Sequence, residues 1–180
     1  MEGLSRYRSS KNKKHSQEPK HHRWPKCVSP RSLARSWLAL PWIGASMSFD
    51  DKVIDQVLAM KTWAIVGLGN NPERAAYGVS KLLQEKGHRI VPVYPRAETV
   101  HGENGYKTLS EIPFQIDVVD CFVNSKLVGK VVDEAIAIGA KAVWLQLDVI
   151  DEAAVARAEA AGLLAIMDRC PAIEIGRAHV

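Results

Sequence analysis

Residues 63–74 read Trp-Ala-Ile-Val-Gly-Leu-Gly-Asn-Asn-Pro-Glu-Arg, and this stretch decides the fold class. Its apolar opening, Trp63–Val66, has no polar alternation, which is typical of a strand that is buried on both faces. Gly67 and Gly69 then allow the backbone to turn sharply. The pair at 71–72, Asn followed by Pro, predicts the start of a helix with Asn as its cap. We therefore expect a buried strand, a glycine loop and a helix in succession.

The same alternation of short apolar runs and helical patterns continues along the chain. Gly87, Gly139 and Gly162 each follow a helical pattern and predict its end, and His88 is expected in a solvated turn. Apolar strands separated by helices predict one α/β domain with a five-stranded parallel sheet, doubly wound and Rossmann-like. Strands are expected at 63–66, 90–94, 118–123, 142–147 and 163–167. Helices are expected near 53–58, 72–86, 128–138 and 152–161, with at most one helical turn, near 109–112, between 96 and 116.

The two ends of the chain depart from this pattern. Residues 1–46 carry ten Lys and Arg but only two acids, and their composition cannot bury enough apolar surface to order the backbone. We expect a disordered basic extension there. The favoured interpretation is that the protein begins at Met47, with a mitochondrial presequence, a nucleic-acid arm and a metal site as alternatives. Residues 174–180, EIGRAHV, resemble a translated sequencing adapter, so the predicted domain is 47–173, followed by a doubtful tail.

Composition narrows the functional classes. Residues 47–180 contain fourteen Lys and Arg against eighteen acids, so the domain gives no electrostatic reason to expect nucleic acid. No run approaches the ~18 apolar residues that a membrane helix needs. Cys27, Cys121 and Cys170 are too far apart to suggest a disulfide framework or a zinc site. We expect a protein of a reducing compartment, the cytoplasm, or of the mitochondrion if the basic extension is a presequence.

The loop after the first strand indicates phosphate binding. Unpaired N–H groups at the start of a helix suit a diphosphate, and Arg74 adds a cation, although a tight turn that binds nothing has the same pattern. Pro72 stands where a dinucleotide fingerprint has its third glycine, and no acid follows the second strand until Glu98. Arg96 at that position favours a ligand with an additional ribose phosphate, which means NADP or coenzyme A (CoA). A solvated loop cation is the alternative interpretation.

Several short motifs occur together, in one order, along residues 48–173. They are Val66-Gly67-Leu68 with Pro72 and Arg74, Val93-Tyr94-Pro95, Gly102, Ile112-Pro113, Asp117-Val118-Val119-Asp120, Ala140–Trp144 with Gln146, and Met167–Pro171. The set resembles the small single-domain CoA-binding proteins. The Rossmann-like domain of that family is similar to the nucleotide-binding part of the succinyl-CoA synthetase alpha subunit.

The resemblance implies that the diphosphate of CoA, or of an acyl-CoA, lies over residues 67–74. It implies that the adenine end lies beside the end of the second strand, with the 3′-phosphate near Arg96. The chain departs from the family pattern at Gly69 and Ala76, where hydroxyl residues are usual, at Tyr94, where Asn is usual, and at Asp148, where Gly is common. Gln146, near the carboxyl end of the fourth strand, adds a candidate polar contact. The predicted binding residues are Gly67, Leu68, Gly69, Asn70, Asn71, Arg74, Val93, Tyr94, Pro95, Arg96 and Gln146.

We expect the domain to bind CoA without catalysing a reaction of its own. The synthetases that it resembles use a phosphorylated histidine on a further domain and a second subunit, so a partner enzyme or a homo-oligomer stays open. The first alternative is an NADP-dependent oxidoreductase, whose proton donor would be Tyr94, His101 or Tyr106. The second is a redox or regulatory sensor of CoA, in which Cys170 beside Arg169 is the reactive thiol.

Overall fold

The computed structural model describes residues 49–177, whose strands form a five-stranded parallel sheet. The strands are β1 (Thr62–Val66), β2 (Arg89–Val93), β3 (Val118–Cys121), β4 (Ala142–Leu145) and β5 (Leu164–Ile166). Their order across the sheet is β2-β1-β3-β4-β5, with every neighbouring pair parallel. This order confirms the predicted doubly wound, Rossmann-like fold. The winding reverses between β1 and β3, and the carboxyl ends of all five strands lie along one edge.

Helices cover both faces of this sheet. They are α1 (Phe49–Leu58), α2 (Ala75–Glu85), α3 (Ser125–Ala137), α4 (Glu152–Ala160) and α5 (Pro171–Arg177), with one 3-10 turn at Leu109–Glu111. Side chains from α1, α2 and α5 pack with Trp63, Ile65 and Trp144 on one face. Side chains from α3 and α4 pack with Ala64 and Val119 on the other face. Because successive strand residues point to opposite faces and both faces are covered, the strands are mainly apolar, as the sequence indicated, and Asp120 in β3 is a buried exception.

The helix ends confirm the local sequence signals. Gly87, Gly139 and Gly162 have φ angles of +87°, +69° and +88° directly after α2, α3 and α4. Glycine adopts this left-handed conformation without the steric penalty that a Cβ brings. Asp151 caps α4, because its side chain accepts a hydrogen bond from the N–H of Ala154 at 2.9 Å.

The predicted start of α2 is wrong. The helix begins at Ala75, with Arg74 as an extended N-cap that makes no side-chain capping bond. The Asn71 side chain accepts the N–H of Glu73 at 3.0 Å, and the Asn71 carbonyl accepts the N–H of Arg74 at 3.2 Å. These bonds form a separate turn in which Pro72 is not part of the helix. The loop after β1 is therefore longer than the sequence predicted, which leaves more backbone open to a ligand.

Two other elements differ from the sequence-based expectation. His88 is buried rather than solvated, with its Nδ1 atom 2.8 Å from the Met60 carbonyl oxygen and its ring 5.6 Å from that of Trp63. Burial lowers the pKa of His88, and the charge of Lys61 lowers it further by a smaller amount. The hydrogen bond to the Met60 carbonyl raises the pKa but does not outweigh the burial. The helix α5 was not predicted, and it continues past residue 173, where we placed the end of the domain. That boundary stays a prediction.

The predictions for residues 1–46 and for the last three residues of the 174–180 tail lie outside the described residues. Within 49–177, no helix combines the length and the apolar character that crossing a bilayer requires.

Candidate functional site

Gly67 fixes the course of the loop that leaves β1. Its φ is +101°, and its N–H donates to the carbonyl oxygen of Val93 at 2.9 Å, which ties the loop to the end of β2. A Cβ atom at this position would lie 2.6 Å from the carbonyl oxygen of Phe122. Only glycine avoids that overlap and the strained φ together. Leu68 is fully buried, so it anchors the loop in the core. Gly69 is also buried, and the chain reaches the surface at Asn70.

The next three residues present their backbone N–H groups at the carboxyl edge of the sheet. The N–H of Asn70 donates to Oε2 of Glu98 at 2.8 Å. The N–H groups of Gly69 and Asn71 have no hydrogen-bond partner among residues 49–177. Neighbouring N–H groups in a glycine-containing turn form a concavity that favours anions. This loop therefore has the backbone chemistry of a phosphate site, with one of its N–H groups already bound to a carboxylate.

Glu98 reaches the loop because the chain turns back after β2. The N–H of Ala97, whose φ is +50°, donates to the Tyr94 carbonyl oxygen at 2.8 Å. Glu98 Oε1 then lies 3.4 Å from a guanidinium nitrogen of Arg96, and Arg96 stands 5.9 Å from the centroid of the Tyr94 ring. The Arg96 side chain is 74% exposed. Arg96 is thus accessible to a ligand but is paired with the same carboxylate that occupies the loop.

The structure brings most of the predicted binding residues into one crevice of about 230 Å³. Glu98, the first acid after β2, also lines the crevice and was not among the predicted binding residues. Four predicted residues do not line it. The side chains of Leu68, Val93 and Gln146 are buried, and Pro95 is exposed but lies outside the crevice. The lining residues are Gly67, Gly69, Asn70, Asn71, Arg74, Tyr94, Arg96 and Glu98.

Gln146 instead belongs to a buried polar pair that sequence reasoning missed. Its Nε2 atom donates to Oδ1 of Asp120 at 2.7 Å, and Asp120 is fully buried in β3. Oδ2 of Asp120 has no hydrogen-bond partner within 49–177. Burial raises the pKa of Asp120 to about 8, against the opposing effect of the Gln146 hydrogen bond. An acid inside the apolar run Val118–Val123 was the available signal, because a charged residue type in a buried strand requires a partner.

The residues proposed for catalysis are dispersed. His101 Nε2 lies 2.9 Å from the Tyr77 carbonyl oxygen, and the two ring centroids are 4.2 Å apart with a tilt of 56° between the rings. Tyr106 packs edge-on against Phe114. Of the three candidate proton donors, Tyr94 alone lines the crevice. Cys170 is a partly buried free thiol directly before α5. Its redox role stays a prediction.

A larger cavity, of about 360 Å³, lies elsewhere, along β5 and beside α1. Its walls include the apolar side chains of Val53, Ile54 and Ile166, and of its lining residues only Arg169 is a cation. The candidate site is the crevice at the glycine loop and not the cavity along β5. The loop supplies free N–H groups and two arginines, and it lies at the edge where doubly wound sheets bind their ligands.

Comparison with known proteins identifies the family of this chain. The sequence model described as "CoA binding domain" matches residues 61–176. The Bacillus subtilis protein YneT is 34% identical over 110 residues, which cover 61% of this chain and 82% of YneT. A solved structure, a hypothetical protein from Pyrococcus horikoshii OT3, superposes with a TM-score of 0.69 and 37% identity over 75% of this chain and 98% of that chain.

One relative is part of a larger enzyme. The alpha subunit of acetate–CoA ligase (ADP-forming) II from Pyrococcus furiosus is 36% identical over 81 residues. The match covers 44% of this chain but only 18% of that subunit. The resemblance inferred from the ordered motifs is thus confirmed by the family match over 61–176. This chain belongs to the family of CoA-binding domains.

Proposed function

We propose that the crevice of the glycine loop binds CoA or an acyl-CoA, with the diphosphate over residues 67–74. The observation that carries this proposal is the group of free N–H donors at Gly69 and Asn71, beside the guanidinium groups of Arg74 and Arg96. Two charge centres separated along one crevice suit a ligand that carries phosphates at two points. The diphosphate takes the loop N–H groups and Arg74, and the ribose 3′-phosphate takes Arg96.

We propose further that the domain holds this ligand without transforming it. The residues that line the crevice include no serine, cysteine, histidine or lysine, and the two remaining reactive side chains are those of Tyr94 and Glu98. The Glu98 carboxylate is held by the Asn70 N–H and by Arg96, so we expect a chemical step to need a group from a second protein or a second domain. Incubation with acetyl-CoA, followed by thiol release, tests this point. Release above the buffer rate by the purified chain would contradict it.

Calorimetric titration of the full chain with CoA, 3′-dephospho-CoA and NADP tests the ligand. We expect CoA to bind most tightly. Arg96→Ala should remove the preference of CoA over dephospho-CoA, which we estimate at about tenfold from the loss of one charge-assisted phosphate contact. Arg89→Ala is the matched control, because Arg89 lies at the opposite end of β2, over the Phe114 ring. Equal binding of CoA and dephospho-CoA by the unsubstituted chain would discard the Arg96 role, and a preference for NADP would overturn the proposed ligand.

A further inference from the structure

The carboxylate of Glu98 occupies the place that an anionic ligand needs. Oε2 accepts the N–H of Asn70 at 2.8 Å, and the neighbouring residues in the chain, Gly69 and Asn71, have free N–H groups. It also approaches the position that a Cβ of Gly69 would take, at 3.2 Å. Oε1 faces Arg96 at 3.4 Å. Oε2 of Glu98 therefore holds the Asn70 N–H at the proposed diphosphate position, and Oε1 faces Arg96 at the proposed 3′-phosphate position.

The backbone that carries Glu98 is held in place. A Cβ atom on Gly105 would overlap the Glu98 carbonyl oxygen, so the two chain segments are in direct contact. Tyr106 and Tyr94 are joined by a backbone hydrogen bond of 2.9 Å, and Val100 and Glu103 exchange two bonds of 3.0 Å. The Glu98 side chain, in contrast, is 29% exposed. Rotation of the side chain towards solvent frees the Asn70 N–H without any change in the surrounding backbone.

We propose that Glu98 is an internal competitor of the ligand. Its carboxylate occupies the phosphate loop and must leave before a diphosphate binds. This inference rests on the proposed function. Displacing the carboxylate breaks its bonds to the loop and to Arg96 together, so Glu98 lowers the affinity for any ligand whose phosphate takes its place. A ligand with phosphates at both points replaces both bonds, whereas a ligand with a single anionic group replaces one and leaves the other position unfilled.

The test compares Glu98→Gln with the unsubstituted full chain by calorimetric titration, using inorganic pyrophosphate and CoA as separate probes. Glutamine keeps the size of the side chain but removes its charge, which weakens its hold on an N–H donor and ends its repulsion of phosphate. We expect both probes to bind about three- to tenfold more tightly to Glu98→Gln. Glu98→Ala, which removes the competing oxygens, should bind both at least as tightly as Glu98→Gln.

Glu103→Gln is the matched control. It makes the same change of charge in the same loop, and the Glu103 side chain does not line the crevice, so we expect less than a twofold effect. Unchanged or weaker binding of both probes to Glu98→Gln would overturn the inference, as would an equal gain in Glu103→Gln. The inference would also be overturned if Glu98→Gln bound neither pyrophosphate nor CoA.

The two proposals fail in different ways. If pyrophosphate binds Glu98→Gln more tightly while CoA binds neither protein, the competitor role of Glu98 stands and the proposed ligand is wrong. If CoA binds both proteins with one affinity, the proposed ligand stands and Glu98 is not a competitor.

Discussion

Asp120 is the residue at which burial and charge conflict most directly. Its carboxyl group is fully buried, with Gln146 on Oδ1 and no partner for Oδ2 within the described residues. Removing a carboxylate from water disfavours the charged form, which is why its pKa rises to about 8. The folded protein therefore keeps this group protonated at neutral pH, whereas the unfolded chain releases the proton above about pH 4.

This difference predicts a pH-dependent stability that Asp120→Asn removes. Because the folded state retains a proton that the unfolded state has lost, the free energy of unfolding falls as pH rises from about 4, and it levels off above the folded pKa of about 8. Between pH 6 and pH 8 we expect a loss of roughly 1–3 kcal/mol in the unsubstituted protein from this group. Asparagine resembles the protonated acid, so Asp120→Asn should show a smaller loss in urea unfolding at the two pH values.

The control for that measurement is Asp133→Asn, which makes the same change at an exposed carboxylate paired with Arg157. Its pH dependence between 6 and 8 should match that of the unsubstituted protein. A parallel profile for Asp120→Asn would show that the buried acid titrates in its ordinary range.

Gly67 gives a second prediction at the residue scale. Gly67→Ala places a Cβ 2.6 Å from the Phe122 carbonyl oxygen at a φ of +101°. We expect a loss of more than about 2 kcal/mol in the free energy of unfolding, from strain and overlap together. Gly87→Ala is the comparison, with a φ of +87° but no atom within 4 Å, and should cost about 1 kcal/mol. Equal losses in chemical denaturation would mean that the approach of Phe122 relaxes freely.

At the scale of elements, the two longest helices within residues 49–177, α2 and α3, each contain a glycine. Gly78 in α2 has no atom within 4 Å of its potential Cβ, whereas a Cβ on Gly129 in α3 would lie 3.1 Å from Oδ2 of Asp151 and 3.3 Å from the Arg157 guanidinium. Alanine stabilises a helix interior relative to glycine by about 0.5–1 kcal/mol. We expect that gain from Gly78→Ala and a smaller gain or a loss from Gly129→Ala, measured by thermal unfolding. A larger gain at Gly129 would contradict the crowding.

Over the whole domain, the two edges of the sheet carry different groups. The loop and its arginines lie at the carboxyl edge, whereas Asp117 joins several segments at the amino edge. Asp117 Oδ2 accepts the N–H groups of Lys61 at 3.2 Å and Thr62 at 3.0 Å, and Oδ1 pairs with Lys141 at 2.8 Å. Partial burial raises the pKa of Asp117, but the bonds from Lys141, Thr62 and Lys61 outweigh it and hold the pKa below its ordinary value. The stability that this carboxylate contributes is present at neutral pH and is lost as pH falls through that lowered pKa.

Asp117→Ala should therefore weaken the fold without weakening the site. We expect the free energy of unfolding to fall by about 1–3 kcal/mol, since two backbone N–H groups and Lys141 lose their acceptor. CoA affinity, measured by calorimetry well below the melting temperature, should change less than twofold. A matching loss of CoA affinity would show that the amino edge is coupled to the loop.

Short-range patterns in the sequence were sufficient for the strands, their parallel arrangement and most helix ends. The continuous apolar runs require a sheet covered on both faces, and Gly87, Gly139 and Gly162 act on their own helices alone. The family resemblance was likewise readable, because it depends on the order of motifs along the chain. The glycine loop with Arg74 and Arg96 could be proposed as a site for the same reason.

The tertiary structure alone decided which groups meet across the chain. Glu98 reaches Asn70 over 28 residues, Gln146 reaches Asp120 over 26, and His88 reaches Met60 over 28. No periodic pattern in the sequence predicts these contacts, because they depend on how the loop after β2 folds back and on which strands are neighbours. The start of α2 shifted for a local reason: the Arg74 N–H donates to the Asn71 carbonyl oxygen and closes a separate turn, and the helix begins only after that turn, at Ala75. The sequence by itself determined the framework and the glycine loop, and packing between distant segments determined that a carboxylate lies against that loop.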